Sequence, residues 1–458
     1  MNKVIILAAG EGTRMKSNIS KVLHKICNKS ILSYVIDASK EANFDEIYVI
    51  VGKNEEAVKD EFKDSVKYIK QEIGPEFPYG TGYAVKLAEK YIEDEDNILV
   101  LSGDAPLIKG KTLADLVQYH INQENEATVV SAIVDNPFGY GRIISDENGQ
   151  FKKIVEHKDC NDNEILVKEI NSGMYLFNGD KLKYALNKLD TNNVQGEMYL
   201  TDVFGILEEE KLKISTYKVK DNTEINGINT KLQLSEAEKI MRKRINEAYM
   251  LEGVILENPE TITIEKGVSI GKDTVIEQNV KLLGDTVIGE NCLIGMNSRL
   301  INAKIGNDVI IYSSFIEDAI VEDNVDMGPF ARLRPKAHIK SEVHIGNFVE
   351  VKNATLGEGT KAGHLAYIGD AELGKNINVS CGVIFANYDG KKKHKTIVGD
   401  EAFLGSNVNI VAPVHIANKA FLAAGSTITR DVEEGQLSVE RAEQRNIDGY
   451  YERKFGNK

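Results

Sequence analysis

The sequence has no tryptophan, eight prolines and four cysteines among 458 residues. The cysteines, Cys27, Cys160, Cys292 and Cys381, form neither a CxxC pair nor a disulfide ladder, which points to a reducing compartment. Long apolar runs are also missing. The stretch at residues 4–9 is too short for a signal-peptide core or a membrane span, and no segment reaches eighteen apolar residues. A cytoplasmic protein without membrane insertion is expected. Positive charge is in deficit: 56 Lys and Arg against 70 Asp and Glu give a net charge of −14. Such a balance argues against general binding to nucleic acid or anionic membrane. A small anionic substrate is compatible with it, because a local loop can hold phosphate against the global field. A hydrophobic content of 42% and a charged content of 28% exclude a largely disordered chain. The length suggests about two to three domains.

What is abundant is glycine, 38 residues, gathered in the second half. There, aliphatic residues recur every six positions: Ile264, Ile270, Ile276, Leu282, Ile288, Ile294 and Leu300. The register shifts near Ile305 and returns at Val398, Leu404, Ile410, Ile416, Leu422 and Ile428. A period of six fits neither a helix nor a simple strand. It fits a parallel β-helix with three flat faces per coil, the aliphatic residue inside and the following glycine allowing the corner. This pattern resembles the left-handed β-helix of hexapeptide acyltransferases.

The first 230 residues alternate apolar strands with amphipathic helices: strand 4–8 and helix 31–40, strand 46–51 and helix 55–62, strand 98–101 and helix 113–122. That order predicts βαβ units and a mainly parallel sheet, an α/β Rossmann-like domain. Residues 231–251 lack Gly and Pro and are rich in helix formers, so a long connecting helix is expected. The expected domains are 1–230, the linker helix 231–251, and 252–458.

The first strand runs into Ala9-Gly10-Glu11-Gly12-Thr13-Arg14-Met15, with Lys21 beyond. Ligands of α/β sheets bind past the carboxyl ends of strands. The glycines let backbone approach a phosphate, while Arg14 and Lys21 supply charge. No Walker A motif is present, and Met15 stands where a dinucleotide fingerprint needs its third glycine. Ser102-Gly103-Asp104 brings a carboxylate to the same sheet edge, and Gly80-Thr81-Gly82 adds a second tight turn.

The string LAAGEGTRM with Lys21-Val22-Leu23 resembles the signature of sugar-phosphate nucleotidyltransferases. Tyr140-Gly141-Arg142, Val155-Glu156-His157-Lys158, Glu169-Ile170-Asn171-Ser172-Gly173 and Gly227-Ile228-Asn229 continue the likeness. In such an enzyme a sugar 1-phosphate attacks the α-phosphorus of a nucleotide. Both partners are anionic, so Mg²⁺ is needed, and a hard ion takes oxygen ligands. The resemblance implies Asp104 and Asn229 as metal ligands, with Arg14 and Lys21 catalytic. It implies nucleotide and sugar contacts from Leu7, Ala8, Ala9, Gly10, Lys21, Gln71, Gly80, Thr81, Ser102, Gly103, Asp104, Gly141, Glu156, Asn171 and Asn229. Glu156 and Asn171 would bond sugar hydroxyls.

In the repeats, function must come from interruptions. Ala362-Gly363-His364-Leu365-Ala366-Tyr367 and Phe385-Ala386-Asn387-Tyr388-Asp389-Gly390 break the pattern, and Lys391-Lys392-Lys393-His394 forms a loop. Stacked coils are about 4.8 Å apart, so one coil plus an excursion could bring His364 and Asn387 together. A histidine suits removal of a proton from an amine nucleophile attacking a thioester. His338, His344 and His364 also invite comparison with the zinc site of β-helix carbonic anhydrases, although the spacing differs.

The order GPFARLRP, GNFVEVKN, AGHLAYIGDAELG and NYDG, placed after a nucleotidyltransferase, resembles the bifunctional bacterial enzymes that make UDP-N-acetylglucosamine. The likeness covers essentially the whole chain. It implies a homotrimer that acetylates glucosamine 1-phosphate with acetyl-CoA and then uridylylates the product with UTP. His364 would be the base. Arg334, Lys352, Tyr367, Asn378 and Asn387 would hold the sugar phosphate. Cys381, Asn387, Tyr388, Ser406, Ala424 and Arg441 would contact acetyl-CoA. The sequence departs from that family at Ser20 (usually proline), Tyr83 (histidine), Ser102 (tyrosine) and Cys381 (alanine), and in a loop at 72–79 about four residues longer than usual. The nearest enzymatic alternative is a sugar nucleotidyltransferase whose prism only oligomerises or binds an effector. A non-catalytic regulatory relative is the alternative of a different class.

Overall fold

The computed structural model describes residues 1–72, 74, 76–191 and 196–456. Residues 73 and 75 of the long 72–79 loop lie outside them. The chain divides into two compact units, Met1–Met241 and Arg242–Lys458, with the division inside the helix Lys231–Leu251.

The first unit is built on a mixed sheet. Its main path runs Ile214–Lys218, Ala127–Ile133, Glu169–Asn178, Asn97–Ser102, Asn2–Leu7, Glu46–Val51, Lys67–Lys70. Every pairing along that path is parallel except those of Glu169–Asn178, which runs antiparallel to both neighbours. The central strands are apolar over residues 4–7, 47–51 and 98–101 because both faces are covered. Successive side chains alternate between two cores: Val4, Ile6, Val49, Val51, Leu99 and Leu101 on one face, Ile5, Tyr48, Ile50, Ile98 and Val100 on the other. The helix Ile31–Glu41 lays Leu32, Val35 and Ile36 on the first face, and Gly179–Leu186 lays Leu182, Ala185 and Leu186 on the second. Ser30 caps the former, its hydroxyl accepting from the Ser33 N–H at 3.2 Å. The result is a three-layer sandwich whose central strands Asn2–Leu7 and Asn97–Ser102 end at one edge, where the site lies.

The second unit is a prism of three parallel sheets with eleven, ten and nine strands. Strands two to four residues long visit the three sheets in turn, pairing with the strand one coil on, as Lys281 does with Arg299. All thirteen aliphatic residues of the six-residue pattern are buried in one continuous core. The shift near Ile305 is real: Val287 pairs with Lys304 and Lys304 with Ile320, both short steps, and short steps recur where His338 pairs with Thr355 and Thr355 with Glu372. One coil is long, since Asn378 pairs with Phe403, and the surplus forms the loop after Asn387.

The corners differ from expectation. The glycines after the aliphatic residues do not supply left-handed backbone. That conformation falls two residues later, at Asp273, Asn291 and Asn297, all with positive φ. Asn and Asp tolerate it better than other side chains. The glycines serve close stacking instead: a Cβ on Gly271 would lie 2.6 Å from the Gly289 carbonyl carbon of the next coil.

Candidate active sites

The first unit carries a cleft of about 910 Å³ past the carboxyl ends of its central strands. Of the residues expected to contact nucleotide and sugar, Leu7, Ala8, Ala9, Gly10, Lys21, Gln71, Gly80, Thr81, Ser102, Asp104, Gly141, Glu156 and Asn171 line it. Gly103 and Asn229 do not. The Gly103 N–H donates to the Leu7 carbonyl at 2.9 Å, and a Cβ there would lie 2.9 Å from that oxygen, so it packs strand against strand.

Charge is concentrated at one end. The Lys21 ammonium pairs with the Asp104 carboxylate and donates to the Asn229 side-chain oxygen at 3.1 Å. Arg14 donates to the same Asn229 oxygen at 2.9 Å. The second Asp104 oxygen accepts from the Ser102 hydroxyl at 2.6 Å. Gly12 makes this possible: its φ is +64°, and a Cβ would lie 2.6 Å from the Lys21 Cβ. Ser20 holds the approach to Lys21, its hydroxyl accepting from Asn54 Nδ2 at 2.9 Å. The same Asn54 nitrogen donates to the Ala8 carbonyl at 3.0 Å, tying the phosphate loop to the segment before Lys21.

Asp104 and Asn229 thus direct a carboxylate and an amide oxygen at one cationic point. That pair suits a hard divalent ion that keeps most of its water. Among the described residues no group of three or more His, Cys, Asp or Glu side chains could hold a metal ion.

At the other end, Asn171 is fixed by two hydrogen bonds. Its Nδ2 donates to the Tyr175 hydroxyl at 2.8 Å and its Oδ1 accepts from the Gly173 N–H at 3.0 Å. Burial raises the Tyr175 hydroxyl, which stays neutral. Glu156 faces it across the cleft wall. Desolvation, reinforced by the charges of Asp159 and Asp202, holds its carboxyl above the usual range. Tyr79, Glu197, Tyr199 and Thr201 also line the cleft and escape the sequence reading. No local motif marks them; the fold brings them in when the Gly82 N–H bonds the Met198 carbonyl at 2.8 Å and the Leu200 N–H bonds the Thr81 hydroxyl at 3.1 Å.

The prism gathers its expected residues at two corners. Ala362 pairs with Val379, Val379 with Leu404 and Leu404 with Leu422. The residues two positions on, His364, Cys381, Ser406 and Ala424, therefore stand in one column. Arg441 joins it, donating to the Ala424 carbonyl at 2.6 Å. His364 is exposed, with Nδ1 3.4 Å from Asn347 Oδ1. Asn378 lies on the same sheet and donates to Ser380 at 2.9 Å.

The next corner is cationic. Lys352 pairs with Gly369, and Arg334 lies one coil below with its N–H on the Val351 carbonyl at 2.9 Å. Asn387 donates to Asp370 and, at 3.4 Å, to the Tyr367 hydroxyl. Lys393, not singled out by sequence, closes the group. It lies against Lys352, and with Arg334 it holds the Lys352 ammonium below its ordinary value. The loop carrying it is fixed by Asp389, which accepts from the Lys391 and Lys392 N–H groups at 2.7 Å and pairs with His394 at 2.7 Å. Tyr388, at the loop's start, is exposed. His364 and Asn387 stand at successive corners of the prism, one on either side of the sheet that holds the strand Tyr367–Gly369. The strand Tyr367–Gly369 separates their corners, about 10 Å at 3.3 Å per residue. The zinc comparison fails. His338 pairs with Glu322 and His344 with Asp326, and the two histidines stand on different sheets.

A nucleotidyltransferase cleft and a hexapeptide prism in one chain define a two-headed transferase. Residues 3–222 match the nucleotidyl transferase family. Residues 267–302 match the bacterial transferase hexapeptide family, and 395–430 the hexapeptide repeat of succinyl-transferase. The chain is 49% identical over 452 residues to the bifunctional protein GlmU of Clostridioides difficile, covering 99% of this chain and 98% of that one. It is 48% identical over 447 residues to that of Enterococcus faecalis, covering 97% of each. The chain belongs to the GlmU family. It is a bifunctional enzyme of UDP-N-acetylglucosamine synthesis, with uridylyltransferase and acetyltransferase activities, and its prism is the left-handed β-helix of hexapeptide proteins. No helix among the described residues is long and apolar enough to cross a membrane.

Proposed function

We propose the following division of labour. The prism, residues 252–458, N-acetylates glucosamine 1-phosphate with acetyl-CoA. The first domain, residues 1–230, then transfers uridylyl from UTP to N-acetylglucosamine 1-phosphate, releasing pyrophosphate.

In the first reaction His364 takes the proton as the amine attacks the thioester carbonyl. Arg334, Lys352 and Lys393 hold the sugar phosphate, with Tyr367, Asn378 and Asn387 orienting the sugar. Cys381, Tyr388, Ser406, Ala424 and Arg441 hold acetyl-CoA. A face about 10 Å wide between the two columns suits a substrate that bridges them, its phosphate at one corner and its amine toward the other.

In the second reaction Lys21 and Arg14 draw the phosphates into the loop, while Glu156 and Asn171 orient the sugar. Asp104 and Asn229 would hold Mg²⁺, which supplies charge neutralisation between the two anionic reactants. The observation that carries this reading is the convergence of the Asp104 and Asn229 oxygens on the ammonium of Lys21, which lines the cleft.

A homotrimer through the prism and a cytoplasmic location complete the proposal. The exposed, stacked rings of Phe403 and Phe421, 4.3 Å apart, support an outer face that packs against another copy. The test is His364→Ala in the full chain. Acetyl transfer should disappear while uridylyl transfer from supplied N-acetylglucosamine 1-phosphate persists. Equal loss of both would overturn the division.

A further inference from the structure

The helix Lys231–Leu251 opens on Thr230-Lys231-Leu232-Gln233, the spacing of a capping box. Thr230 Oγ1 accepts from the Gln233 N–H at 3.2 Å, and Gln233 Oε1 accepts in return from the Thr230 N–H at 3.1 Å. Those two bonds complete an ordinary cap. A third goes beyond it: the same Gln233 oxygen accepts from the Asn229 N–H at 2.9 Å. That N–H lies outside the helix, so the bond adds nothing to helix hydrogen bonding.

It does act on the cleft. On the other side of Asn229, the Ile228 N–H donates to the Asp104 carbonyl at 2.9 Å. Ile228 itself is buried. The backbone is therefore tied to Asp104 before Asn229 and to Gln233 at Asn229. Backbone held at both points fixes the direction of the Cα–Cβ bond, and with it the reach of the side-chain oxygen that meets Lys21 and Arg14.

The geometry points to Gln233 as the positioning residue for Asn229: its side-chain oxygen holds the Asn229 peptide so that the amide oxygen shares a cation site with Asp104. This rests on the metal reading above. Partners that orient a ligand typically change metal affinity ten- to a hundredfold when removed.

The test uses the full chain with UTP and without sugar phosphate, so that nothing turns over. Free Mn²⁺ is followed by electron paramagnetic resonance as the ion is titrated. Gln233→Met keeps the length and loses the acceptor. It should raise the Mn²⁺ dissociation constant about tenfold, with the fold retained and the melting temperature lowered only by the loss of the cap bond to the Thr230 N–H. Gln233→Glu restores the acceptor and should bind Mn²⁺ at least as tightly as the parent. Parent-like affinity in Gln233→Met, or a Gln233→Glu chain as weak as Gln233→Met, overturns the inference and leaves the metal reading standing. A parent chain that binds Mn²⁺ no better than Asp104→Ala overturns both.

Discussion

The Asn229 side-chain oxygen lies 3.1 Å from the Lys21 ammonium. These residues stand 208 positions apart in sequence, yet one cation satisfies Asn229 and, in the same grip, Asp104. The phosphate loop, the end of the strand Asn97–Ser102 and the segment before the linker helix therefore share one charge.

Removing that carboxylate separates the two activities from the other side. Asp104→Ala should lower uridylyl transfer more than about 100-fold, beyond what loss of an outer partner costs. Acetyl transfer should stay within twofold. Parallel assays of CoA release and pyrophosphate release on one preparation check this. Unchanged uridylyl transfer with unchanged Mg²⁺ dependence would remove Asp104 from the site.

The cationic corner of the prism predicts a specific defect for a residue outside every quoted motif contact. Lys393→Met should raise KM for glucosamine 1-phosphate about tenfold, the loss of one charge-assisted contact of about 1.5 kcal/mol. KM for acetyl-CoA should not move. The neighbouring Lys352 should become easier to protonate, since Lys393 is the first cause of its depressed value. A larger effect on acetyl-CoA than on the sugar phosphate would contradict the assignment of corners.

Ser20 tests what a proline would do on the approach to Lys21. Ser20 has φ −53°, which proline adopts, and its N–H makes no hydrogen bond among the described residues. Ser20→Pro would stabilise by about 0.4–1 kcal/mol through the unfolded state. It would lose the Asn54 bond, about 0.5–1.5 kcal/mol. The two nearly cancel, so urea unfolding should show a change of less than about 1 kcal/mol. Ser20→Ala has only the loss and should be less stable than Ser20→Pro.

His120 predicts a pH dependence. It is buried, with Nδ1 2.8 Å from Thr128 Oγ1 and Nε2 2.9 Å from Asn178 Oδ1. Burial holds its imidazole below the ordinary value, against the Asn178 bond and the Glu126 charge. Below about 6.5 the unfolded chain therefore binds more protons at this position than the native one. The contribution to stability is full above about pH 6.5 and is lost as pH falls toward the depressed value. It accounts for a slope of at most about 1.4 kcal/mol per pH unit. His120→Gln should flatten unfolding free energy between pH 6.5 and 5; an unchanged slope would refute the role.

Much of this architecture is legible in the sequence because its periods are unambiguous. The helix Lys231–Leu251 and the strand Glu46–Val51 have the bounds that composition and patterning imply. The six-residue period survives as a buried ladder. What patterning does not reveal is long-range or fine-grained. The corner role of Asp273 and Asn291 is a matter of backbone handedness that apolar spacing does not encode. Tyr199 and Thr201 enter the cleft only through bonds to the distant turn at Thr81 and Gly82. Lys393 looks like one lysine in a solvated run until the Asp389 and His394 pair folds the loop back onto Lys352.

The most direct test of the central claim, two reactions on one chain, is release of free CoA thiol from acetyl-CoA by the purified protein with glucosamine 1-phosphate present and UTP absent. The account predicts release that requires the sugar phosphate and disappears in His364→Ala. No release from a folded protein that still makes UDP-N-acetylglucosamine from UTP and N-acetylglucosamine 1-phosphate would contradict it, and would leave the prism as a scaffold.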